Sequence, residues 1–202
     1  SQMRQKIILF GGTFDPPHNG HMCLLKAAID EVQPQLVIVM PTGTPPHKEA
    51  GHTSAALRIS MCKCFLQLFH NIIISNDEIE RGGKSYTVDT LKRLREKYAD
   101  AQIFLPIGSD MLLSFTTWRS WQEILKLATL VVHCRQKEDM QPVREYVKML
   151  ENEGGDIVFA NGEIEVVSST EIREKAAAGE DISALVPPCT EKIIIKNNLY
   201  KA

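Results

Sequence analysis

The sequence predicts an α/β fold in which a doubly wound, mostly parallel sheet has flanking helices and ends in a C-terminal helical part at residues 168–202. Two observations support this class. Short β-prone runs alternate along the chain with longer segments of helical periodicity, which is the pattern of βα units. Most of the short runs are continuously apolar, as expected for strands buried on both faces of a parallel sheet. We therefore expect right-handed crossovers and a single domain that spans residues 1–202.

The same pattern assigns individual segments, and together they predict a Rossmann-like sheet. The predicted strands are residues 6–10, 36–40, 72–75, 102–106, 129–133, 156–160 and 164–167. The predicted helices are residues 20–31, 54–69, 87–98, 118–126, 142–153, 169–178 and 190–199. Ligands of open parallel sheets bind outside the carboxyl ends of the strands, so the segments after the strands are candidates for a site. These segments are residues 11–21, 41–48, 76–90, 108–110 and 168–173.

Composition and charge narrow the class of protein. Of the 202 residues, 44% are hydrophobic and 24% are charged, and the net charge is −2, as in ordinary globular proteins. No cluster of Lys and Arg indicates a nucleic-acid partner, and no apolar run indicates a membrane span. We expect no signal peptide and a cytoplasmic location, where cysteines stay reduced. The cysteines are odd in number and scattered: Cys23, Cys62, Cys64, Cys134 and Cys189.

The run GGTFDPPHNGH at residues 11–21 combines backbone-restricting residues with two imidazoles. Gly11 and Gly12 let a ligand approach the backbone, and the prolines stiffen the loop before a helix. His18 and His21 are three residues apart and share one face of the first helical turn. We expect free backbone N–H groups and the positive end of the helix dipole in that turn, which together favour an anion.

This run matches neither the G-x-G-x-x-G dinucleotide fingerprint nor the G-x-x-x-x-G-K-[ST] P-loop. Two imidazoles at a phosphate site can donate hydrogen bonds to phosphoryl oxygens as charge develops in the transition state. Two other interpretations remain open at this point. The histidines are structural, or they bind a metal ion with the help of His47 or His52.

A second anion site is predicted in the stretch VSSTEIREKAAAG near the C-terminus. Ser168 and Glu171 have the spacing of a capping box, which indicates the start of a helix. The first turn of that helix presents the hydroxyls of Ser169 and Thr170, backbone N–H groups and Arg173. This combination is suited to a polyphosphate.

The two runs GGTFDPPHNGH and SSTEIR together resemble the HxGH nucleotidyltransferase superfamily. The remaining segments resemble those of bacterial nicotinate-mononucleotide adenylyltransferases. These segments are PPHK at 45–48, SYTVDTL at 85–91, GSDML at 108–112, Trp-x-x-Trp at 118 and 121, and NNLY at 197–200. The resemblance covers nearly the whole chain in order. It departs at Pro187-Pro188-Cys189, where relatives tend to have a single proline.

The resemblance implies transfer of AMP from ATP to nicotinate mononucleotide, with deamido-NAD and pyrophosphate as products. The 5′-phosphate of the mononucleotide attacks the α-phosphorus of ATP directly. No protein nucleophile is then needed, and catalysis consists of positioning and electrostatics. The resemblance also implies Mg²⁺, bound mainly through ATP phosphates and water, with no protein ligand for the metal.

The resemblance also assigns residues to each part of this reaction. The implied catalytic residues are His18, His21 and Arg173, with His21 on the α-phosphate. The implied ATP-binding residues are Gly11, Gly12, Thr13, Phe14, Gly108, Asp110, Ser169 and Thr170. The residues implied to bind nicotinate mononucleotide are Lys48, Thr87, Trp118, Arg119 and Arg135. Plainer roles stay open for Asp110 as a helix N-cap, Trp118 as a core residue and Lys48 as a solvated side chain.

Other substrates and another class of function also stay open. Nicotinamide mononucleotide is hard to exclude, because its discrimination rests on backbone N–H groups. The phosphopantetheine and cytidylyl relatives are usually shorter and lack the middle segments. A nucleotide-binding regulator without turnover is the alternative from a different class, and the oligomeric state is left open, with a homodimer as one option.

Overall fold

The computed structural model describes residues 4–43, 53–134 and 140–201. Within them, six strands form one sheet in the order β3-β2-β1-β4-β5-β6. The strands are β1 (Lys6–Gly12), β2 (Leu36–Pro41), β3 (Ile72–Ile74), β4 (Gln102–Gly108), β5 (Thr129–His133) and β6 (Ile157–Ala160). The pairs β1–β4, β4–β5 and β5–β6 are parallel, and Lys6 lies opposite Gln102. The predicted parallel α/β class is confirmed.

Helices connect the strands in the predicted alternation. The α-helices are α1 (Asn19–Val32), α2 (Ala55–Cys62), α3 (Asp77–Arg81), α4 (Thr87–Lys97), α5 (Ser109–Leu112), α6 (Trp121–Leu127), α7 (Met140–Asn152), α8 (Ser169–Ala177) and α9 (Pro188–Lys196). Short 3₁₀ helices at Lys63–Leu68 and Phe115–Thr117 follow α2 and α5. None of the helices in the described ranges is long and apolar enough to cross a membrane.

The strands are buried as their apolar runs require. Every residue of β2 and β5 is buried, and Ile7 and Ile8 of β1 have no exposed surface. Burying a side chain of this size contributes about 1.5–3 kcal/mol to the free energy of unfolding. Because both faces of these strands are covered, apolar residues occupy successive positions instead of every second one.

The chain forms two compact units. The first unit consists of the described residues in 1–10, 24–38 and 86–164, and the second of those in 11–23, 39–85 and 165–202. The second unit contains the histidine-bearing run and both C-terminal helices. The single domain over 1–202 stays a prediction.

The predicted C-terminal helical part has a small apolar core within the second unit. Its buried members are Met61, Ile172, Ile182, Val186 and Ile194. Leu199 and Tyr200 pack against this cluster from the end of the chain. The hydroxyl of Thr190 donates to the carbonyl of Met61 at 3.2 Å, which joins α9 to α2.

Three local predictions differ from the structure. The predicted strand at 164–167 is wrong: this stretch is irregular, with Val166 66% exposed and no strand paired to it among the described residues. The helix predicted from residue 118 begins at Trp121, after Ser120 in the left-handed region with φ 54°. The short helices α3 and α5 were not predicted, since four or five residues are too few to show helical periodicity.

Candidate active site

His18 ends the loop after β1 and acts as the N-cap of α1. Its Nδ1 atom accepts hydrogen bonds from the backbone N–H groups of Gly20 and His21, at 3.1 and 3.3 Å. The N–H of Asn19 donates to the carbonyl oxygen of Leu185 at 2.9 Å. An imidazole nitrogen therefore supplies the acceptor that Ser, Thr, Asp or Asn supplies at most helix starts.

The expectation of free backbone N–H groups at this turn is wrong. The first three N–H groups of α1, those of Asn19, Gly20 and His21, all have protein partners. An anion at this turn must therefore be bound by side chains. The imidazoles themselves are the donors that can do this.

The two imidazoles form one stacked pair with a defined tautomer. Their ring centroids are 3.7 Å apart, at an interplanar angle of 23°. The backbone N–H of His18 donates to Nδ1 of His21 at 3.0 Å. Since a backbone N–H can only donate, the Nδ1 atom of each ring carries no proton. Each neutral ring holds its proton on Nε2, so the pair offers two Nε2–H donors.

Burial keeps both rings neutral at physiological pH. It lowers the pKa of His18 to about 4, and His18 is only 7% exposed. Burial, with the neighbouring His18 as a second cause, lowers the pKa of His21 well below its usual value. The pair is therefore a set of neutral hydrogen-bond donors, which suits stabilisation of charge that develops on a phosphoryl group.

Aromatic side chains hold His21 in place. The Phe14 ring, 2% exposed, meets the His21 ring edge-on with centroids 5.1 Å apart, and meets Phe65 at 5.4 Å. A Cβ atom added to Gly12 would lie 3.0 Å from the Phe14 ring, so this glycine makes room for a protein side chain. The predicted contact of Phe14 with ATP stays a prediction, since its ring packs on His21.

Gly20 allows the close approach of the His18 ring. A Cβ atom at position 20 would lie 2.9 Å from Cε1 of His18 and 3.1 Å from the carbonyl oxygen of Glu165. Contacts of this length require a neighbour to shift. The glycine between the two histidines is therefore needed for the ring to cap α1.

The second predicted anion site lies against the loop that carries His18. Ser168 caps α8 as predicted, since its Oγ accepts from the N–H of Glu171 at 3.0 Å. The hydroxyl of Ser169 donates to the carbonyl of Pro16 at 2.8 Å.

Arg173 extends the same junction. Its guanidinium donates to the carbonyl of Asp15 at 2.8 Å and to the hydroxyl of Thr170 at 3.2 Å. The structure thus brings the predicted α8 residues together with the histidine-bearing loop.

Arg58 was missed by sequence reasoning. Its side chain, 2% exposed, donates to the carbonyls of Thr13 at 2.9 Å and Gly43 at 3.0 Å. It therefore joins the loop after β1 to the loop after β2. The only signal in the sequence is a charged residue within AALRISMC, a mostly apolar helical stretch, and this is too weak to assign a role.

Residues predicted to bind the nicotinate lie together in the first unit. Thr87 is the first residue of α4, directly after Tyr86. The guanidinium of Arg119 lies 4.5 Å from the centroid of the Tyr86 ring. Trp118 is half-buried and packs on the buried Phe115 ring, with centroids 5.1 Å apart. One face of this indole is therefore supported by protein.

Gly108 and Asp110 stand at the end of β4 in the same unit. Gly108 is the N-cap of α5, and an added Cβ there would meet no atom within 4 Å. Asp110 is exposed in the first turn, so the alternative role of Asp110 as the N-cap is wrong. The open space at Gly108 agrees with close approach of a ligand.

Four of the residues considered from the sequence lie outside the described residues: Lys48, Arg135, His47 and His52. Among the residues that are described, no group of three or more His, Cys, Asp or Glu side chains is arranged to hold a metal ion.

Comparisons with known proteins identify the family of this chain. The family described as Cytidylyltransferase-like matches residues 9–175. A protein of Neisseria meningitidis described as a probable nicotinate-nucleotide adenylyltransferase is 36% identical over 200 residues, covering 98% of this chain and 99% of that protein. A protein of Clostridium tetani with the same description is 36% identical over 201 residues, covering 98% of this chain and 100% of that protein.

Solved structures support the fold. The Plasmodium falciparum nicotinic acid mononucleotide adenylyltransferase complexed with NaAD aligns with a TM-score of 0.79 at 19% identity, and its complex with APC with a TM-score of 0.76 at 18%. Each alignment covers 98% of this chain and 98% of the other. At these identities the likeness concerns the fold.

Proposed function

We infer the function from the premise that the chain belongs to the cytidylyltransferase-like family and, within it, to the nicotinate-nucleotide adenylyltransferases. The protein transfers AMP from ATP to nicotinate mononucleotide, giving deamido-NAD and pyrophosphate, a step of NAD biosynthesis. The main structural support for this reaction is the stacked His18–His21 pair, whose two neutral rings each hold an Nε2–H donor.

The reaction needs positioning and charge stabilisation more than a protein nucleophile. An oxygen of the mononucleotide 5′-phosphate forms a bond to the α-phosphorus of ATP, and the bond from that phosphorus to the pyrophosphate oxygen breaks. In the transition state, negative charge grows on the oxygens of the transferred phosphoryl group. Preorganised hydrogen-bond donors are most effective at this position. The buried thiols of Cys62 and Cys64 have pKa values raised by burial, that of Cys64 to about 12, so neither is a nucleophile at neutral pH.

We assign the phosphate contacts to residues of the second unit. The Nε2–H of His21 donates to the α-phosphate, and His18 supports it through the shared stack and its own Nε2–H. Thr170 and Arg173 meet the β- and γ-phosphates, and Ser169, whose hydroxyl already donates to Pro16, meets them through its backbone N–H. A guanidinium carries five N–H groups, so Arg173 has donors beyond the two that bind Asp15 and Thr170. Gly11, Gly12, Thr13 and Phe14 are assigned to ATP.

We assign the nicotinate ring to the first unit. The supported Trp118 indole stacks on the pyridine, and the backbone N–H groups around Thr87 and Arg119 receive its carboxylate. The Arg119 guanidinium over Tyr86 adds positive charge that favours the acid over the amide. Gly108 and Asp110 are assigned to the ribose and adenine of ATP, and Lys48 and Arg135 to phosphate of the mononucleotide.

Mg²⁺ is proposed to arrive with ATP. This hard ion usually keeps several waters and binds substrate phosphates through few protein groups. When bound, it would neutralise phosphate charge. We propose that the enzyme is cytoplasmic.

Pyrophosphate release tests the proposal directly. The purified protein is assayed with ATP and Mg²⁺ and either nicotinate mononucleotide or nicotinamide mononucleotide. A strong preference for the acid supports the assignment of its carboxylate to Thr87 and Arg119. Comparable rates would contradict that specificity, and no release with either substrate would contradict the proposed reaction.

A further inference from the structure

We propose that Tyr200 is a positioning residue for the histidine loop, defined as residues 13–18. The kinetic part of this inference rests on the proposed function, and its structural part does not. The phenol at the C-terminal end of the chain fixes the carboxylate of Asp15, and through it the position of His18. The NNLY segment at 197–200, which has no place in the proposed reaction, is thereby assigned the role of positioning the histidine loop.

The contact joins distant parts of the sequence. The Tyr200 hydroxyl donates a hydrogen bond to Oδ1 of Asp15. Asp15 is only 5% exposed. Its carbonyl oxygen accepts a hydrogen bond from the guanidinium of Arg173 at 2.8 Å. Asp15 is thus held through its side chain by the C-terminus and through its main chain by α8.

The surroundings of Tyr200 favour a fixed donor. Burial and the neighbouring carboxylate raise the pKa of its phenol, so the hydroxyl keeps its proton and Asp15 serves as the acceptor. Arg58 and Arg173 both place positive charge near this pair. Hydrogen bonds to a carboxylate are stronger than hydrogen bonds between neutral groups, so this contact holds the Asp15 side chain firmly.

The backbone at the end of α9 turns so that the Tyr200 side chain reaches Asp15. Asn198 and Tyr200 have φ angles of 50° and 66°, in the left-handed region, which Asn adopts readily and Tyr seldom adopts. The N–H of Leu199 donates to the carbonyl of Ile194 at 3.0 Å, which turns the chain back at the end of α9. Tyr200 then packs against the C-terminal apolar cluster.

The path from Asp15 to the reacting group is short. Only Pro16 and Pro17 separate it from His18, and prolines transmit displacement because their φ is fixed. His18 in turn caps α1 and stacks on His21. A shift of Asp15 therefore moves both Nε2–H donors relative to phosphate.

The test compares Tyr200→Phe with Tyr146→Phe. The Tyr146 hydroxyl, in the first unit, also donates to a side chain, Oγ1 of Thr116 at 3.2 Å, so the control removes the same kind of bond away from the histidine loop. We expect Tyr200→Phe to lower kcat about 10- to 100-fold, as a misplacement of catalytic groups does, with little change in the KM for ATP. Tyr146→Phe should keep kcat within about twofold of the wild-type value, because its hydroxyl binds only Thr116, which is assigned to no phosphate.

A readout without substrate separates this inference from the proposed function. Two-dimensional NMR of the His18 ring, titrated with pH, should show its pKa in Tyr200→Phe rising from about 4 towards the usual 6.5, because a released loop lets water reach the ring. The control should leave that titration unchanged. Unchanged kcat and an unchanged His18 titration in Tyr200→Phe would overturn the inference. A wild-type protein inactive with both mononucleotides would count against the proposed function alone.

A second pair of variants guards against a general loss of folding. If Tyr200 acts through Asp15, adding Tyr200→Phe to Asp15→Ala should lower kcat no further than Asp15→Ala alone. Multiplying losses in the double variant, with thermal midpoints matched to the single variants, would overturn the inference.

Discussion

The backbone N–H of His18 donates to Nδ1 of His21 across 3.0 Å, and this bond decides which nitrogen of His21 can face a phosphate. Nδ1 is engaged within the loop, so only Nε2 can act on the substrate. His18 is restricted in the same way, because its Nδ1 caps α1. Each ring therefore has one nitrogen with a structural role, Nδ1, and a second nitrogen, Nε2, that carries the proton.

The two roles of His21 can be separated by substitution. In His21→Asn the amide oxygen can still accept from the His18 N–H, while the Nε2–H donor is lost. We expect kcat to fall about 10²- to 10³-fold, the usual cost of one transition-state donor, with the thermal midpoint changing by only a few degrees. Steady-state pyrophosphate release and thermal unfolding measure the two effects.

His21→Ala serves as the comparison for that variant. It removes both nitrogens and leaves space beside Phe14 and Phe65, so it should lose stability as well as turnover. Equal thermal midpoints for His21→Asn and His21→Ala would contradict the structural role of Nδ1.

His18 makes stability depend on pH. Its pKa is about 4 in the folded protein and near 6.5 when unfolded, so the unfolded chain binds more protons between these values. The free energy of unfolding therefore rises with pH from about 4 to 6.5 and is lost as pH falls through that window. The full effect is about 3.5 kcal/mol at most, at about 1.4 kcal/mol for each pKa unit.

Urea unfolding at several pH values between 4 and 7 measures this slope. His18→Asn is the informative variant, since Asn still caps a helix but does not titrate. We expect a flatter dependence in His18→Asn, with the remaining slope due to His21 and other groups. The same slope in both proteins would show that His18 is not the titrating group.

The direction in which Gly20→Ala changes the free energy of unfolding tests whether the His18 ring needs this glycine. In most helix positions Gly→Ala stabilises by up to about 1 kcal/mol. Here the new methyl would lie 2.9 Å from His18 Cε1, so we expect Gly20→Ala to lower the free energy of unfolding by about 1–3 kcal/mol and to lower kcat. A raised thermal midpoint with unchanged kcat would show that the ring does not need this glycine.

The fold could be predicted because its strands are continuously buried. β5 was placed at 129–133 and is observed at Thr129–His133, since four apolar or β-branched residues in a row, followed by His133, fit a strand covered on both faces. The failure at 164–167 has the opposite cause. Ile-Glu-Val-Val has high β-propensity, but no neighbouring strand among the described residues pairs with it, and Val166 stays exposed.

The proximity of the two histidines was predictable from the sequence, whereas their hydrogen bonds were not. The sequence indicated that His18 and His21 lie close together. It could not show that Nδ1 of His18 accepts the hydrogen bonds from backbone N–H groups that a ligand was expected to accept. Arg58 and the Tyr200–Asp15 contact depend on residues 45 and 185 positions apart, which periodicity does not relate. Local spacing reveals what shares a helix turn, whereas long-range partners emerge only with the tertiary structure.

Trp118 and Trp121 form a matched pair for testing the nicotinate assignment. Both indoles contact Phe115, with centroids 5.1 and 6.4 Å from its ring, so truncating either one removes similar aromatic packing. If Trp118 stacks on the pyridine, Trp118→Ala should raise the KM for nicotinate mononucleotide about tenfold or more, the equivalent of one lost aromatic stack of about 1.5 kcal/mol. The KM for ATP should change little. Trp121→Ala should lower the thermal midpoint about as much as Trp118→Ala does. It should leave the KM for nicotinate mononucleotide near its wild-type value. Equal increases of that KM in both variants would mean that Trp118 acts through packing and not through contact with the ring.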